Sequence, residues 1–187
     1  MKKYICIYSG STKGQNAQFQ QEALALGKLI AKNNFGLVYG GATIGLMGIV
    51  ADGVLELGGE IIGVMPQFLL DIEGKHAELS KFELVHSVHE RKYRMAELSD
   101  IMVALPGGVG TLDEIFDLWS RLKLNELQKP LFVLNSDHFY DPLIAMVDNM
   151  LQQGFIEERH RELVYFYEDA EQLMCGVKKA LTVDNAK

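Results

Sequence analysis

The decapeptide Leu105-Pro106-Gly107-Gly108-Val109-Gly110-Thr111-Leu112-Asp113-Glu114 leads from an apolar run into an amphipathic one through a turn holding three glycines. Without Cβ atoms at Gly107, Gly108 and Gly110, main-chain N–H groups can face an anion, and the positive end of the following helix adds its attraction. Glu114 falls one turn inside that helix, beside the anion. Two explanations fit a carboxylate there: it takes part in chemistry, or Thr111-x-x-Glu114 forms a capping box. Asp113 and Asp117 likewise fit ordinary compensation of the helix dipole.

A second polar anchor lies upstream, in His89-Glu90-Arg91-Lys92-Tyr93-Arg94-Met95-Ala96-Glu97-Leu98. Arg91, Met95 and Leu98 are spaced i, i+4, i+7, which sets a guanidinium on the apolar stripe that faces the sheet. An inward cation needs a partner. Either it snorkels or pairs structurally, or it reaches the anion that the glycine turn holds and completes a clamp. His86 and His89 lack companions at metal-ligand spacing, so they are read as satisfied polar histidines and no metal is expected. Cys6 and Cys175 lie far apart without a C-x-x-C pattern and are read as buried or half-buried free thiols.

The elements that must carry these groups alternate between short apolar runs and helical patterns, the signature of a parallel sheet with crossover helices. Strands are expected at Tyr4–Tyr8, Leu37–Tyr39, Glu60–Met65, Phe82–His86, Ile101–Leu105, Leu131–Asn135 and Leu163–Tyr167. Helices are expected at Ala17–Lys32, Ile44–Leu57, His89–Leu98, Leu112–Leu124, Tyr140–Gln153 and Asp169–Leu181. The fold class is α/β, a doubly wound Rossmann-like parallel sheet of about seven strands with helices on both faces. Residues 1–187 are read as one nucleotide-binding domain. Pro66 to Ser80 shows no period and reads as a mobile flap or short irregular helix near the site.

Three glycine turns follow strands: Ser9-Gly10-Ser11-Thr12-Lys13-Gly14, Gly40-Gly41-Ala42-Thr43-Ile44-Gly45-Leu46-Met47-Gly48, and Pro106 to Thr111. In a parallel sheet all of them lie at the carboxyl edge and can converge on one pocket. The first turn lacks the G-x-G-x-x-G of a dinucleotide site, and Thr12-Lys13-Gly14 has the wrong order for a Walker A loop. A small phosphate ester, in particular a mononucleotide, fits what is left.

With 18 basic against 25 acidic residues and a net charge of −7, the chain has no basic run, which argues against nucleic-acid binding. Tyr4–Tyr8 is too short an apolar run for a signal sequence, and nothing approaches the ~20 residues of a membrane span. A cytoplasmic protein without membrane association is expected.

Taken together, His89-Glu90-Arg91-Lys92-x-x-Met95 and Pro106-Gly107-Gly108-x-Gly110-Thr111-x-x-Glu114 resemble the Lonely Guy (LOG) proteins, cytokinin riboside 5′-monophosphate phosphoribohydrolases often labelled lysine-decarboxylase-like. The likeness extends to Gly10-Ser11, Gly40-Gly41, Gly45-Leu46-Met47-Gly48, Gly63-Val64-Met65-Pro66, Lys129-Pro130 and Gly154-Phe155-Ile156. It implies hydrolysis of the N-glycosidic bond of a purine nucleoside 5′-monophosphate to free base and ribose 5-phosphate, without metal or other cofactor, by a homodimer or higher homo-oligomer. It implies Arg91 and Glu114 as catalytic residues, and Gly10, Ser11, Gly40, Gly41, Met95, Gly107, Gly108, Gly110 and Thr111 as substrate-binding ones. Ser9 stands where the family commonly has Cys, Val88 where it usually has Met, and Trp119-Ser120-Arg121-Leu122 replaces Trp-x-Gln-Leu. These departures leave open whether prenylated adenines or plain AMP are preferred. No lysine has the context of a pyridoxal phosphate Schiff base. The rival reading is a non-catalytic carrier of a nucleotide or phosphorylated cofactor. The two readings part at Arg91 and Glu114, because a carrier gains little from a carboxylate beside an anion.

Overall fold

The computed structural model describes residues 2–184. Its strands are β1 (Tyr4–Tyr8), β2 (Gly36–Tyr39), β3 (Ile61–Pro66), β4 (Lys81–Val85), β5 (Ile101–Ala104), β6 (Leu131–Leu134) and β7 (Val164–Tyr167). Its helices are α1 (Ala17–Lys32), α2 (Gly45–Leu55), α3 (Gln67–Glu73), α4 (Val88–Leu98), α5 (Val109–Lys123), α6 (Asp141–Gln152), α7 (Glu158–Arg161) and α8 (Ala170–Asp184). All seven strands pair in parallel in the order β4-β3-β2-β1-β5-β6-β7. The expected doubly wound architecture is the one observed.

Strand β1 shows why the sheet is two-sided. Its side chains alternate, Ile5 and Ile7 entering one apolar cluster while Cys6 and Tyr8 enter the other, so the strand has no polar face to show to water. The first cluster is closed by Ala23, Leu26 and Ile30 of α1, Val50 and Val54 of α2, and Leu173 and Val177 of α8. The second is closed by Met95 and Ala96 of α4, Ile115, Leu118 and Leu122 of α5, and Val147 of α6.

Local chemistry sets several boundaries differently from the pattern reading. Helix α5 begins at Val109 with Gly108 as its N-cap and no side-chain cap, so Thr111 lies inside the first turn and the Thr111–Glu114 capping box does not form. At α4 the Ser-x-x-Glu spacing gives half of such a box, and among the described residues a full box closes only at α7, between Glu157 and His160. Ser87 caps α4 by accepting from the Glu90 N–H at 3.1 Å, and Glu90 accepts from the His86 N–H at 2.7 Å. Asp113 and Asp117 do not compensate the dipole in the first turn of α5; both pair with Lys92. The aperiodic stretch from Pro66 contains a regular helix, α3, ended by Gly74 at φ 68°. A 3-10 turn at Ser136–His138 and the four-residue α7 are too short to have left a period. Of the thiols, Cys6 is buried but Cys175 is exposed, and both are free.

Helices α1 and α2 touch backbone to backbone. A Cβ on Gly27 would lie 2.3 Å from the Val50 carbonyl oxygen, and one on Gly53 would lie 2.7 Å from the Leu24 oxygen. Because α2 follows the Gly40–Gly41 turn, this contact sets how closely that turn's helix seats on the sheet. Gly27→Ala gains roughly 1 kcal/mol of helix propensity but loses roughly 1–3 kcal/mol to the forced separation. Urea unfolding of the variant will show a net loss of stability, with the slope of the transition unchanged.

Candidate active site

Strand order reverses between β1 and β5, and the turns leaving those two strands are bonded to each other. The Leu105 N–H donates to the Tyr8 oxygen at 2.9 Å, and the Gly10 N–H to the Pro106 oxygen at 3.1 Å. The Leu46 N–H at the head of α2 donates to the Gly10 oxygen at 3.1 Å and brings in the third glycine turn. Ligands of open α/β sheets bind at this kind of reversal. Here the three turns surround a cavity of about 270 Å³.

The glycines of the β5 turn have different reasons to be glycine. A Cβ on Gly107 would meet the Thr111 hydroxyl at 2.2 Å and the Gly10 nitrogen at 2.9 Å, so this residue is bare because the turns pack together. Gly108 and Gly110 face open space; neither has positive φ nor a neighbour within 4 Å of a built Cβ. Packing does not account for these two. Both line the cavity, together with the buried Thr111, at the uncapped N-terminus of a 15-residue helix. Unspent N–H groups and the helix dipole make this end an anion seat.

Arg91 enters the cavity from α4. It is half-buried, its Nε donating to the Val64 oxygen at 3.0 Å and its Nη2 to the Gly40 oxygen at 3.1 Å, so it is tied to the carboxyl ends of β3 and β2. Gly40 makes room for it: a Cβ there would stand 2.0 Å from Nη2. The guanidinium has five N–H donors, so three remain for a ligand. Next to it, the buried Lys92 ammonium reaches Asp113 at 2.9 Å and Asp117 at 3.4 Å on α5. Burial alone would lower the Lys92 pKa, but the two carboxylates outweigh it and leave it raised. The bridge fixes α4 against α5, and with it the position of Arg91 relative to Glu114.

Glu114, in the second turn of α5, lines the same cavity. Burial pushes its carboxyl up to about 7; the positive charge of Arg91 opposes this and the negative Asp113 adds to it. Among the described residues it has no hydrogen-bond donor and no ion pair, so its oxygens are free to accept from a ligand or a water.

Of the residues expected at the site, Gly10, Ser11, Gly40, Arg91, Met95, Gly108, Gly110, Thr111 and Glu114 line the cavity. Gly41 and Gly107 do not. Gly41, at φ 84°, packs on Gly63 and gives its carbonyl to the His76 N–H at 2.8 Å, and Gly107 packs on Gly10 and Thr111. Sequence reasoning missed Tyr8, Ser9, Met47 and Glu73 as lining groups. The first two follow from continuing β1 to its end, and Met47 from the quoted glycine motif; Glu73 belongs to the Pro66 to Ser80 stretch expected near the site, but nothing sets it apart from the other charged residues there. Ser9 alone among the three family departures lines the cavity; Val88 is exposed, and Arg121 pairs with Glu126 at 2.9 Å. His86 and His89 are exposed, and among the described residues there is no cluster of metal-ligating side chains. Lys129 donates to the Ala96 and Glu97 oxygens at 2.7 and 3.2 Å, closing the carboxyl end of α4 away from the cavity. Trp119 is buried and donates to the His160 oxygen at 2.7 Å. Among the described residues, no helix is long and apolar enough to cross a membrane.

A family model described as possible lysine decarboxylase matches residues 47–177. The cytokinin riboside 5′-monophosphate phosphoribohydrolase LOG of Oryza sativa subsp. japonica is 39% identical over 175 residues, covering 94% of this chain and 72% of its own. The phosphoribohydrolase of the same name from Rhodococcoides fascians is 37% identical over 179 residues, covering 94% of this chain and 89% of its own. Among solved structures, the molybdenum cofactor binding protein of Rippkaea orientalis superposes with a TM-score of 0.75 at 22% identity, over 97% of this chain and 98% of that one. The molybdenum cofactor carrier protein of Chlamydomonas reinhardtii gives 0.72 at 24% identity, over 97% and 99%. At those identities the likeness establishes the fold alone. The match to the family model and the long alignments to named relatives establish more: the chain belongs to the possible lysine decarboxylase family and, within it, to the LOG proteins.

Proposed function

We propose that this protein hydrolyses the N-glycosidic bond of purine nucleoside 5′-monophosphates, N6-substituted adenosine monophosphates included, to the free base and ribose 5-phosphate. Residues 1–187 act as one nucleotide-binding domain. The observation that carries the reading is Glu114: an unpaired carboxyl raised to about 7 in the cavity that also holds Arg91 and the open N-terminus of α5. A site built only to bind an anion is weakened by such a group. A site that must stabilise a cationic sugar and take a proton from water requires one.

The 5′-phosphate sits on the N–H groups of Gly108, Gly110 and Thr111. Gly10, Ser11 and Gly40 bound the sugar, and Met95 and Met47 give it an apolar wall. As the bond from C1′ to the base nitrogen breaks, its electron pair leaves with the base and positive charge gathers on the ribose ring. Glu114 faces that charge and orients a water toward C1′. It accepts the water's proton as the new C–O bond forms and gives it up to solvent, while the departing base takes one proton from solvent, so that one water is consumed and Glu114 is restored. Arg91 uses its remaining donors on the phosphate and ribose. Lys92 is held protonated by Asp113 and Asp117, the opposite of what an amine nucleophile needs, so this lysine lends no support to the decarboxylase description. Free thiols support a cytoplasmic setting, and exposed Val109 and Phe116 on α5, with Leu124 just after it, support a homodimer or higher homo-oligomer.

Glu114→Gln will lower kcat/KM for AMP by ~10²–10⁴-fold with nucleotide binding retained. Free base measured by chromatography tests this; undiminished release removes the mechanism, and wild-type binding without release points to a carrier. The same variant will be more stable than wild type at high pH. The Glu114 pKa is raised on folding, so its burden is absent below about 4.5, grows as pH rises and is complete above about 7. Thermal melts will show a higher Tm for the variant at pH 8, on the order of 5 °C, and little difference at pH 4.5. Gly40→Ala will displace the Arg91 guanidinium while the backbone holds, so turnover will fall by at least tenfold with Tm changed by about 2 °C or less.

A further inference from the structure

The proposed hydrolysis leaves the Tyr8 and Ser9 hydroxyls and the Glu73 carboxylate of the cavity without a task, and of these only the carboxylate is an acceptor alone. Glu73, the last residue of α3, is half-buried and lines the cavity with Arg91 and Glu114, yet its Oε2 is shielded from solvent with no hydrogen-bond donor. A shielded carboxylate oxygen with nothing to accept from is uncommon and asks for a reason. The cations nearby in sequence or space do not supply one. Arg91 donates to the Val64 and Gly40 carbonyls, and Lys75 lies over the Phe82 ring at 4.9 Å. Nor is Glu73 on a loose tail. The chain after α3 is fastened by the His76 N–H to the Gly41 oxygen at 2.8 Å, and by His76 Nε2, 3.4 Å from Asp52 Oδ1.

Topology says which part of a nucleotide meets it. The anion seat follows β5, whereas α3 follows β3, on the other side of β1 and β2. The carboxylate is thus removed from the seat of the phosphate, where it would repel, and faces the portion of the ligand that has hydrogens to give. We propose that Glu73 accepts a hydrogen bond from the ribose 2′-hydroxyl, orienting the sugar and selecting ribonucleotides over 2′-deoxyribonucleotides. This rests on the nucleotide reading above. A carboxylate on the 2′-hydroxyl is how dinucleotide folds grip ribose, and such a bond strengthens as the neighbouring C1′ becomes cationic. The exocyclic amine of the base gains no comparable advantage in the transition state.

The test compares AMP, 2′-deoxy-AMP and purine riboside 5′-monophosphate on wild type, Glu73→Ala and Glu73→Gln. The preference for AMP over 2′-deoxy-AMP in kcat/KM will shrink at least tenfold in Glu73→Ala relative to wild type. Glu73→Gln, which keeps an acceptor, will retain part of it, and the preference between AMP and purine riboside monophosphate will not move. Taking the change relative to wild type cancels the greater intrinsic lability of the deoxynucleotide. Equal losses on AMP and 2′-deoxy-AMP overturn the proposal, as does a change confined to the amine-free base. If wild type hydrolyses none of the three, the hydrolase reading fails, and calorimetric affinities for AMP and 2′-deoxy-AMP decide the ribose contact by the same ratio. Absence of nucleotide binding to wild type overturns both.

Discussion

A half-buried carboxylate, Glu114, is held in the cavity with no donor to compensate it, and the rest of the site is arranged around that one unfavourable act. Moving Glu114 from its ordinary 4.5 to about 7 corresponds to roughly 3 kcal/mol against the ionised form. That is a large share of the ~5–15 kcal/mol by which a folded domain usually exceeds its unfolded chain. The surroundings therefore have to be rigid enough not to relax around the charge. Ile115, next in sequence, is fully buried beneath α5, and Leu118 and Leu122 continue the same stripe, so the helix cannot roll to expose Glu114 without opening the second core cluster.

The position of Arg91 matters as much as its charge. A guanidinium in direct contact with Glu114 would pull the carboxyl down by ~1–3 pH units and make it a poor base. The protein instead ties Arg91 to two main-chain oxygens at the ends of β2 and β3, and Gly40 is bare so that it can do so. Lys92 and its two carboxylates then hold α4 and α5 at a fixed distance. These restraints keep the cation within electrostatic reach of Glu114 without an ion pair. The helix-to-helix bridge is thus part of how the pKa is set, although Lys92 itself does not line the cavity.

Most of the architecture was readable from periodicity, because strands buried on both faces and helices with one apolar stripe leave strong, different patterns. Helix α1 was placed to the residue, and each strand was placed within one residue at each end. Short elements were not readable: α7 and the turn at Ser136 have too few residues to repeat anything. The glycine turns pointed to the carboxyl edge, but their composition did not separate Gly108 and Gly110, which are open, from Gly41 and Gly107, which are packed. That distinction depends on what lies opposite in space. A four-residue motif misled at Thr111, since the true start of the helix decides whether the box can close, and the box that does close, Glu157 with His160, does not have the Ser/Thr-x-x-Glu sequence. Glu73 was unreadable for a related reason: its stretch was expected near the site, but without a period nothing tells which of its charged residues the fold brings into the cavity.

In the proposed hydrolysis, the anion seat at the head of α5 and Glu114 one turn later are linked through the ligand. Side chains in a helix lean toward its N-terminus, so Glu114, one turn after the glycines, leans toward the open head of its own helix, where the proposed hydrolysis seats the phosphate. A bound phosphate is a like charge and raises the carboxyl further above its resting value. Alone, that would leave Glu114 protonated at neutral pH and unable to accept a proton. The three unused donors of Arg91 counter this by drawing off phosphate charge, and the cationic sugar of the transition state counters it more strongly. The carboxylate is therefore least comfortable when substrate has bound and most comfortable when the bond to the base is breaking. An interaction that improves along the reaction path lowers the barrier, whereas one that was already good in the ground state would not. On the proposed mechanism, the unpaired state of Glu114 in the free protein is the first point on that path.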